Sequence, residues 1–343
     1  ELLRRLNRAP GGTAAIVQMR YALLRALAHH PELAAVEADL LHLLSSWFNP
    51  GFLEMQQVDW ASPARLLEKI IQHEAVHAID GWDDRTRTLF ITAVGREKGE
   101  DPYFPHLYRV GYDGSGLKLL NPGNASHAVA LSDDGRYFID NASRVDMAPE
   151  SSLVDGLGNS VAKLETPDLS ALKDAGFKFP EPFAVKADDG VTDLYGVIYK
   201  PFDFDADKKY PIIAYVYPGP QTESVTKTFS KSQNIALAQF GFVVIEVGNR
   251  GGNPNRSKWY HTYGYGNLRD YGLADKKAAI EQLARRHAFI DIERVGIWRH
   301  SGGGFMTAAA MLVYPDFFKA GFSESGNHEN NIYNNTWSEK HHG

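Results

Sequence analysis

Residues 295–304 read Val-Gly-Ile-Trp-Arg-His-Ser-Gly-Gly-Gly. This is a short apolar strand, a sharp turn with Ser301 at its tip, and then a helix opening on Phe305-Met306-Thr307-Ala308-Ala309-Ala310. It is the outline of a nucleophile elbow, in which a serine is held in a strained turn above a parallel sheet. A serine hydroxyl is a weak nucleophile until a base takes its proton. The turn keeps that hydroxyl exposed and aims the N–H of Gly302 at the charge its attack would create. The chemistry implied is acyl transfer to water through Ser301. The alternative is a glycine-rich turn that serves only close packing.

The flanking sequence fits the same architecture. Pro211–Val216 and Phe242–Val247 are continuous apolar runs, as expected of strands covered on both faces. Leu273–Arg286 has a helical pattern with Ala274, Ala278, Ile280 and Leu283 facing inward, Val295–Trp298 is the next strand, and Phe318–Phe322 another. Phe183–Lys186 and Leu194–Tyr199 pair across the Asp188-Asp189-Gly190 turn. Alternating strands and helices predict a doubly wound, mostly parallel sheet. Tyr215-Val216-Tyr217-Pro218-Gly219-Pro220 follows a buried strand directly, and loops at the carboxyl ends of parallel strands line the ligand crevice. The Tyr217 phenol is there a second candidate donor to a tetrahedral oxyanion; simple packing is the alternative. In α/β-hydrolases the triad runs Ser, Asp or Glu, then His. With Ser301 so near Gly343, both partners are expected beyond the chain. His300, His328, His341 and His342 are candidate bases that nothing else supports.

Two other textures precede this one. Residues 1–82 read as helical: Ile16, Met19, Leu23 and Leu27 share one face, Leu33, Val36, Leu40, Leu43 and Leu44 another, and Ser62-Pro63 is a helix start before Leu66, Leu67, Ile70 and Ile71. From Arg85 the pattern turns to short strands and Asp-Gly turns: Thr88–Val94, His106–Tyr112, Ala128–Leu131 and Tyr137–Asp140. That spacing is β-propeller or sandwich texture, with room for one or two blades. The expected domains are therefore a helical segment (1–84), a β-propeller remnant (85–177) and an incomplete α/β-hydrolase domain (178–343). With 43% hydrophobic and 23% charged residues the composition is that of an ordinary globular chain. The net charge of −6 argues against a general nucleic-acid binder. No apolar run is long enough for a membrane span, and the N-terminus lacks a signal-peptide pattern. The absence of cysteine excludes thiol nucleophiles and thiolate metal sites.

Tyr210-Pro211-Ile212-Ile213-Ala214-Tyr215-Val216-Tyr217-Pro218-Gly219-Pro220, Asn249-Arg250-Gly251-Gly252, the Ser301 turn and Ile332-Tyr333-Asn334-Asn335-Thr336-Trp337-Ser338-Glu339 occur in one order. Together they resemble the prolyl oligopeptidase family of serine peptidases, in its dipeptidyl-peptidase IV branch, over residues 85–343. That family joins a β-propeller to an α/β-hydrolase domain and needs no cofactor. The resemblance implies that Ser301 is the nucleophile, that the Tyr217 hydroxyl and Gly302 N–H form the oxyanion hole, and that the substrate is a peptide. It also implies that Tyr333 and Trp337 wall the pocket for the residue before the cut bond; by spacing alone they read as core aromatics. The family pattern has glycine two residues before the serine, where this chain has Arg299.

Residues 1–84 resemble malonyl-CoA decarboxylase, through Ser45-Ser46-Trp47-Phe48-Asn49-Pro50-Gly51-Phe52-Leu53-Glu54, Val58-Asp59-Trp60-Ala61-Ser62-Pro63 and Leu67-Glu68-Lys69-Ile70-Ile71-Gln72-His73-Glu74-Ala75-Val76-His77-Ala78-Ile79-Asp80-Gly81-Trp82-Asp83. The match covers the end of that family's helical domain and the approach to its catalytic domain, whose site residues have no counterpart here. The expectation is a chimera; a decarboxylase relative is the alternative function, and the helical segment is a candidate for self-association into a homo-oligomer. His73-Glu74-Ala75-Val76-His77 also fits the His-Glu-x-x-His zinc pattern, with Glu97 or Asp101 as third ligand. Because Glu97 falls among strands and turns and the decarboxylase resemblance already accounts for the stretch, no metal is expected.

Overall fold

The computed structural model describes residues 76–219 and 223–329. Two four-stranded antiparallel meanders come first. The first is β1 (Val76–Asp83), β2 (Thr88–Ala93), β3 (His106–Gly111) and β4 (Lys118–Leu119); the second is β5 (Ser126–Leu131), β6 (Tyr137–Arg144), β7 (Met147–Asp155) and β8 (Ser160–Glu165). In β6 the side chains alternate, Phe138 and Asp140 buried, Tyr137, Ile139 and Asn141 exposed, as a half-covered strand requires. Phe138 and Val154 of the second meander pack with Phe90, Leu107 and Leu120 of the first region. The two sheets thus share a core, as adjacent propeller blades do.

β1 corrects the helical reading of residues 76–82. It pairs antiparallel with β2 from Val76↔Ala93 to Asp83↔Thr88. Asp83 explains the tight return, because its carboxylate accepts from the N–H groups of Arg85 and Thr86 and from the Thr86 hydroxyl. Trp82 and Val76 pack on the cluster of Leu89, Ile91, Tyr108 and Val110. A partner strand offering an apolar face outweighs the weak local helical pattern. The helical stretches read in residues 1–75 lie outside the described residues. So do His73 and Glu74 of the zinc-like pattern. His77 is on β1, its Nδ1 3.3 Å from Asn255 Oδ1. Glu97 accepts from the Tyr108 hydroxyl and Asp101 pairs with Lys227.

After a short helix, α1 (Ser170–Asp174), the chain enters a six-stranded sheet of order β14-β13-β11-β12-β10-β9. Its elements are β9 (Glu181–Lys186), β10 (Asp193–Tyr199), β11 (Tyr210–Tyr215), α2 (Gln233–Ala238), β12 (Val243–Val247), α3 (Lys258–Thr262), α4 (Leu273–Arg286), β13 (Ile290–His300), α5 (Gly302–Val313) and β14 (Phe318–Glu324). β12, β11, β13 and β14 are mutually parallel, while β10 and β9 add an antiparallel edge. Every residue of β12 is buried. The faces are covered separately. Leu273, Ile280 and Leu283 of α4 join Met306 and Ala310 of α5 in one cluster, while Ala238 of α2 packs with Val197, Tyr199 and Val244 on the other face. The expected doubly wound sheet is thus formed. It carries no closed barrel.

The strand order places a crevice. From β11 the chain passes through α2 to β12 on one side; from β13 it passes through α5 to β14 on the other. The loops leaving β11 and β13, neighbours in the sheet, therefore diverge. Ligand sites of open α/β sheets lie at such a switch point, outside the carboxyl ends of the strands.

Candidate active site

Tyr217 follows β11 and Ser301 follows β13, so the two residues flank that switch point. Ser301 has φ +60° and ψ −127°, a region L residues seldom occupy and one that costs about 1–3 kcal/mol. The surroundings hold it there. Its N–H donates to the Glu324 carbonyl at 2.8 Å and its own carbonyl accepts from the Phe305 N–H at 3.1 Å. The side chain is half-buried and its hydroxyl makes no hydrogen bond among the described residues. The strain falls where β13 gives way to α5.

The Tyr217 ring lies against the next residue. A methyl built on Gly302 would sit 3.6 Å from Tyr217 Cζ and 3.4 Å from the Pro218 carbonyl oxygen. It is therefore the hydroxyl-bearing end of the phenol that comes to the Gly302 backbone, and this hydroxyl too has no partner among the described residues.

Arg299, the departure from the family pattern, packs against Gly303 and Tyr215. Its stem runs across Gly303, where an added methyl would meet Arg299 Cγ and the Val216 carbonyl oxygen both at 2.2 Å. The guanidinium stacks over Tyr215 at 3.9 Å and reaches Tyr217 at 5.1 Å from the ring centre. The Tyr215 hydroxyl accepts from Gln233 Nε2 at 2.5 Å, so a short chain of contacts fixes both rings. Burial raises the Tyr215 pKa, while the Arg299 charge and the Gln233 bond oppose the rise.

The candidate bases are dispersed. His300 is exposed at the end of β13. His328 is exposed too, its Nε2 3.4 Å from Ser323 Oγ. Tyr333, Trp337, His341 and His342 lie outside the described residues. Two cavities, of about 390 and 760 Å³, open along the seam between the first meander and the large sheet, and neither is lined by Ser301 or Tyr217.

Two supporting residues escape a reading of the sequence. Glu223 is buried, with the Tyr260 hydroxyl donating at 2.8 Å and the Tyr103 hydroxyl at 3.0 Å. It ties the loop after Tyr217 to α3 and to the first meander. Burial pushes its carboxyl above the usual range, against the tyrosine bonds and the charges of Lys227 and Lys276. Arg250 binds Asp275, at 2.7 Å from Nη2, and Asp189, at 3.1 Å from Nη1. The Asn249-Arg250-Gly251-Gly252 motif marked the segment; its acidic partners are separated by too much chain to be paired by spacing.

Comparison with known proteins bears on the family and the fold. Residues 227–343 match the prolyl oligopeptidase family. Residues 1–48 match the malonyl-CoA decarboxylase N-terminal domain and residues 51–94 its C-terminal domain. The chain is 30% identical over 258 residues to dipeptidyl peptidase 8 of Mus musculus, covering 71% of this chain and 28% of that protein. It is 27% identical over 255 residues to a dipeptidyl-aminopeptidase B of Arthroderma gypseum, covering 68% and 25%. The chain thus spans about a quarter of the length of the curated relatives it matches. Among solved structures, a protein of Bacteroides ovatus described as a dipeptidyl aminopeptidase IV superposes with a TM-score of 0.67 at 29% identity, over 78% of this chain and 37% of the other. The Porphyromonas gingivalis dipeptidyl peptidase 4 shares the fold, with a TM-score of 0.67 at 24% identity over the same shares.

Proposed function

We propose that this chain, whose residues 227–343 belong to the prolyl oligopeptidase family, carries the nucleophile and oxyanion half of a serine peptidase of the dipeptidyl-peptidase type. Ser301 attacks the peptide carbonyl as a base, which the described residues do not supply, takes its proton and passes it to the departing amine. The Gly302 N–H and the Tyr217 hydroxyl donate to the oxygen as it becomes negative, and an acyl-Ser301 intermediate is then hydrolysed. Such preorganised donors matter most where charge develops, each being worth about 10²–10³ in rate. Tyr333 and Trp337 are proposed walls of the pocket for the residue before the cut bond. The observation that supports the reading is a strained Ser301 directly before Gly302, the glycine against which the Tyr217 ring lies, at the switch point of the sheet.

The test is labelling with a fluorophosphonate probe. With no base placed for Ser301 among the described residues, the chain is expected to be inactive or nearly so and labelling weak or absent; whatever labelling occurs should be lost in Ser301→Ala and slowed about 10²–10³-fold in Tyr217→Phe. Labelling that survives Ser301→Ala overturns the assignment.

The matches at residues 1–48 and 51–94 favour a second reading, a malonyl-CoA decarboxylase relative. The second match ends just after β2, inside the first meander, and brings no decarboxylation residue with it. We therefore read it as the partner in a chimera, with proposed domains 1–84, 85–177 and 178–343 and a first blade that borrows β1 from the preceding segment. Consumption of malonyl-CoA by the purified chain would restore the lyase reading. Self-association through the N-terminal segment is a further proposal, tested by the mass of residues 1–84 in solution.

A further inference from the structure

His106 opens β3 in the first meander, and His127 lies on β5 in the second. Both are buried, and their ring centres are 4.7 Å apart. Every ring nitrogen faces an oxygen. His106 Nδ1 is 3.2 Å from the Asn121 carbonyl oxygen and its Nε2 is 2.8 Å from Glu100 Oε2. His127 Nδ1 is 2.9 Å from Asp140 Oδ2 and its Nε2 is 3.1 Å from the Gly123 carbonyl oxygen. Carbonyl and carboxylate oxygens only accept. A neutral imidazole has one N–H, so in each ring it would set a nitrogen lone pair against an oxygen lone pair. An imidazolium has the two donors the geometry asks for.

Two cations this close repel, but the Glu100 and Asp140 carboxyl groups each face one of the rings. The rest of the surroundings is committed. Asn121 Nδ2 donates to Asp140 Oδ1 at 3.1 Å while its Oδ1 accepts from the Leu107 N–H at 2.8 Å. Arg144 reaches the Asn124 carbonyl at 2.9 Å and pairs with Asp146. Asp101, next to Glu100, is paired with Lys227 across the seam at 2.6 Å.

We propose that His106, His127, Glu100 and Asp140 form a pH-gated clasp between the two blades, closed when the His127 ring carries two protons and released when it gives one up to solvent. The contacts joined to it give the release a reach beyond the blades. The loop holding Glu100 also holds Asp101 and Tyr103, which dock on Lys227 and Glu223 beside the Tyr217 loop. Burial opposes the charge on His127, but the Asp140 bond and charge, the Gly123 carbonyl and Glu100 outweigh it and raise its pKa. A raised folded pKa gives a contribution that is full below about 6.5 and is lost as pH rises through the folded value.

The experiment is ring-nitrogen NMR of the whole chain labelled with ¹⁵N-histidine, assigned by backbone-to-ring correlation, so that no substitution is needed. At pH 7, where an ordinary histidine is mostly neutral, the His127 ring should be doubly protonated. The thermal midpoint should fall as the pH rises through its titration, and His127→Gln should flatten that fall. A ring at 127 that is mostly neutral at pH 7 in the folded chain overturns the proposal. So does a thermal midpoint that ignores the titration.

Discussion

At the scale of single residues the candidate site is a problem of room. Ser301 is legible in the sequence because a serine followed by three glycines after an apolar strand has few structural explanations. The seat of Arg299 is not, because it depends on Gly303 and Val216, which only tertiary folding brings together. The contacts separate two effects. Gly303→Ala puts a methyl 2.2 Å from a backbone oxygen, that of Val216, as well as against the Arg299 stem. It should cost about 1–3 kcal/mol, and adding Arg299→Gly should not rescue it, because the backbone oxygen stays. Arg299→Ala alone should cost only its stacking on Tyr215 and Tyr217, about 0.5–2 kcal/mol. Urea midpoints of the three variants check the ordering; rescue by Arg299→Gly would show that the side chain alone makes the glycine necessary.

At the scale of elements, Arg250 is the tie that fixes the β12 exit loop to α4 and to the β9–β10 hairpin. Asp275 is fully buried and Asp189 about one-third exposed at its side chain. Removing one partner of a buried pair strands the other charge, so Asp275→Ala should lose about 3–5 kcal/mol. Asp189→Ala should lose no more than about 1 kcal/mol, since solvent screens that pair. The comparison of unfolding free energies tests the distinction, and equal losses would refute it. The same contrast explains what could be read in advance. β11 and β12 were legible because strands covered on both faces write their burial as an unbroken apolar run, as in Val243-Val244-Ile245. α4 was legible through its inward Ile280 and Leu283. β1 was not, because Val76–Asp83 takes its conformation from β2 beside it and from the Asp83 turn, while its own pattern continues a helical one. The Arg250 pairs were hidden for the same reason: their partners are near in space and far in sequence.

At the scale of the whole molecule, two boundaries disagree. The decarboxylase-like match runs to residue 94, yet β1 and β2 are integral to the first blade. A chain begun at residue 76 keeps β1, whereas one begun at 85 loses Trp82 from its cluster and leaves β2 as a bare edge. The shorter chain should be less stable by about 1–3 kcal/mol and scatter more light; equal behaviour would make β1 dispensable. Within the large sheet's domain, Lys276 of α4 is fully buried and donates to the Val247 carbonyl at the end of β12. Burial lowers its pKa from 10.5 to about 8, against the pull of Glu223, Asp275 and Glu246. Between those values the unfolded chain binds the proton that the folded chain has released, so stability must rise with pH there, by about 3 kcal/mol over the full interval. Above about 10 the rise is cut off. Unfolded tyrosines ionise there, whereas burial keeps Tyr103 and Tyr260 protonated in the fold. The window is therefore pH 8 to about 10, on the opposite slope to His127. Lys276→Met should flatten it; a rise that persists in that variant would assign the proton elsewhere and leave Lys276 charged inside the fold.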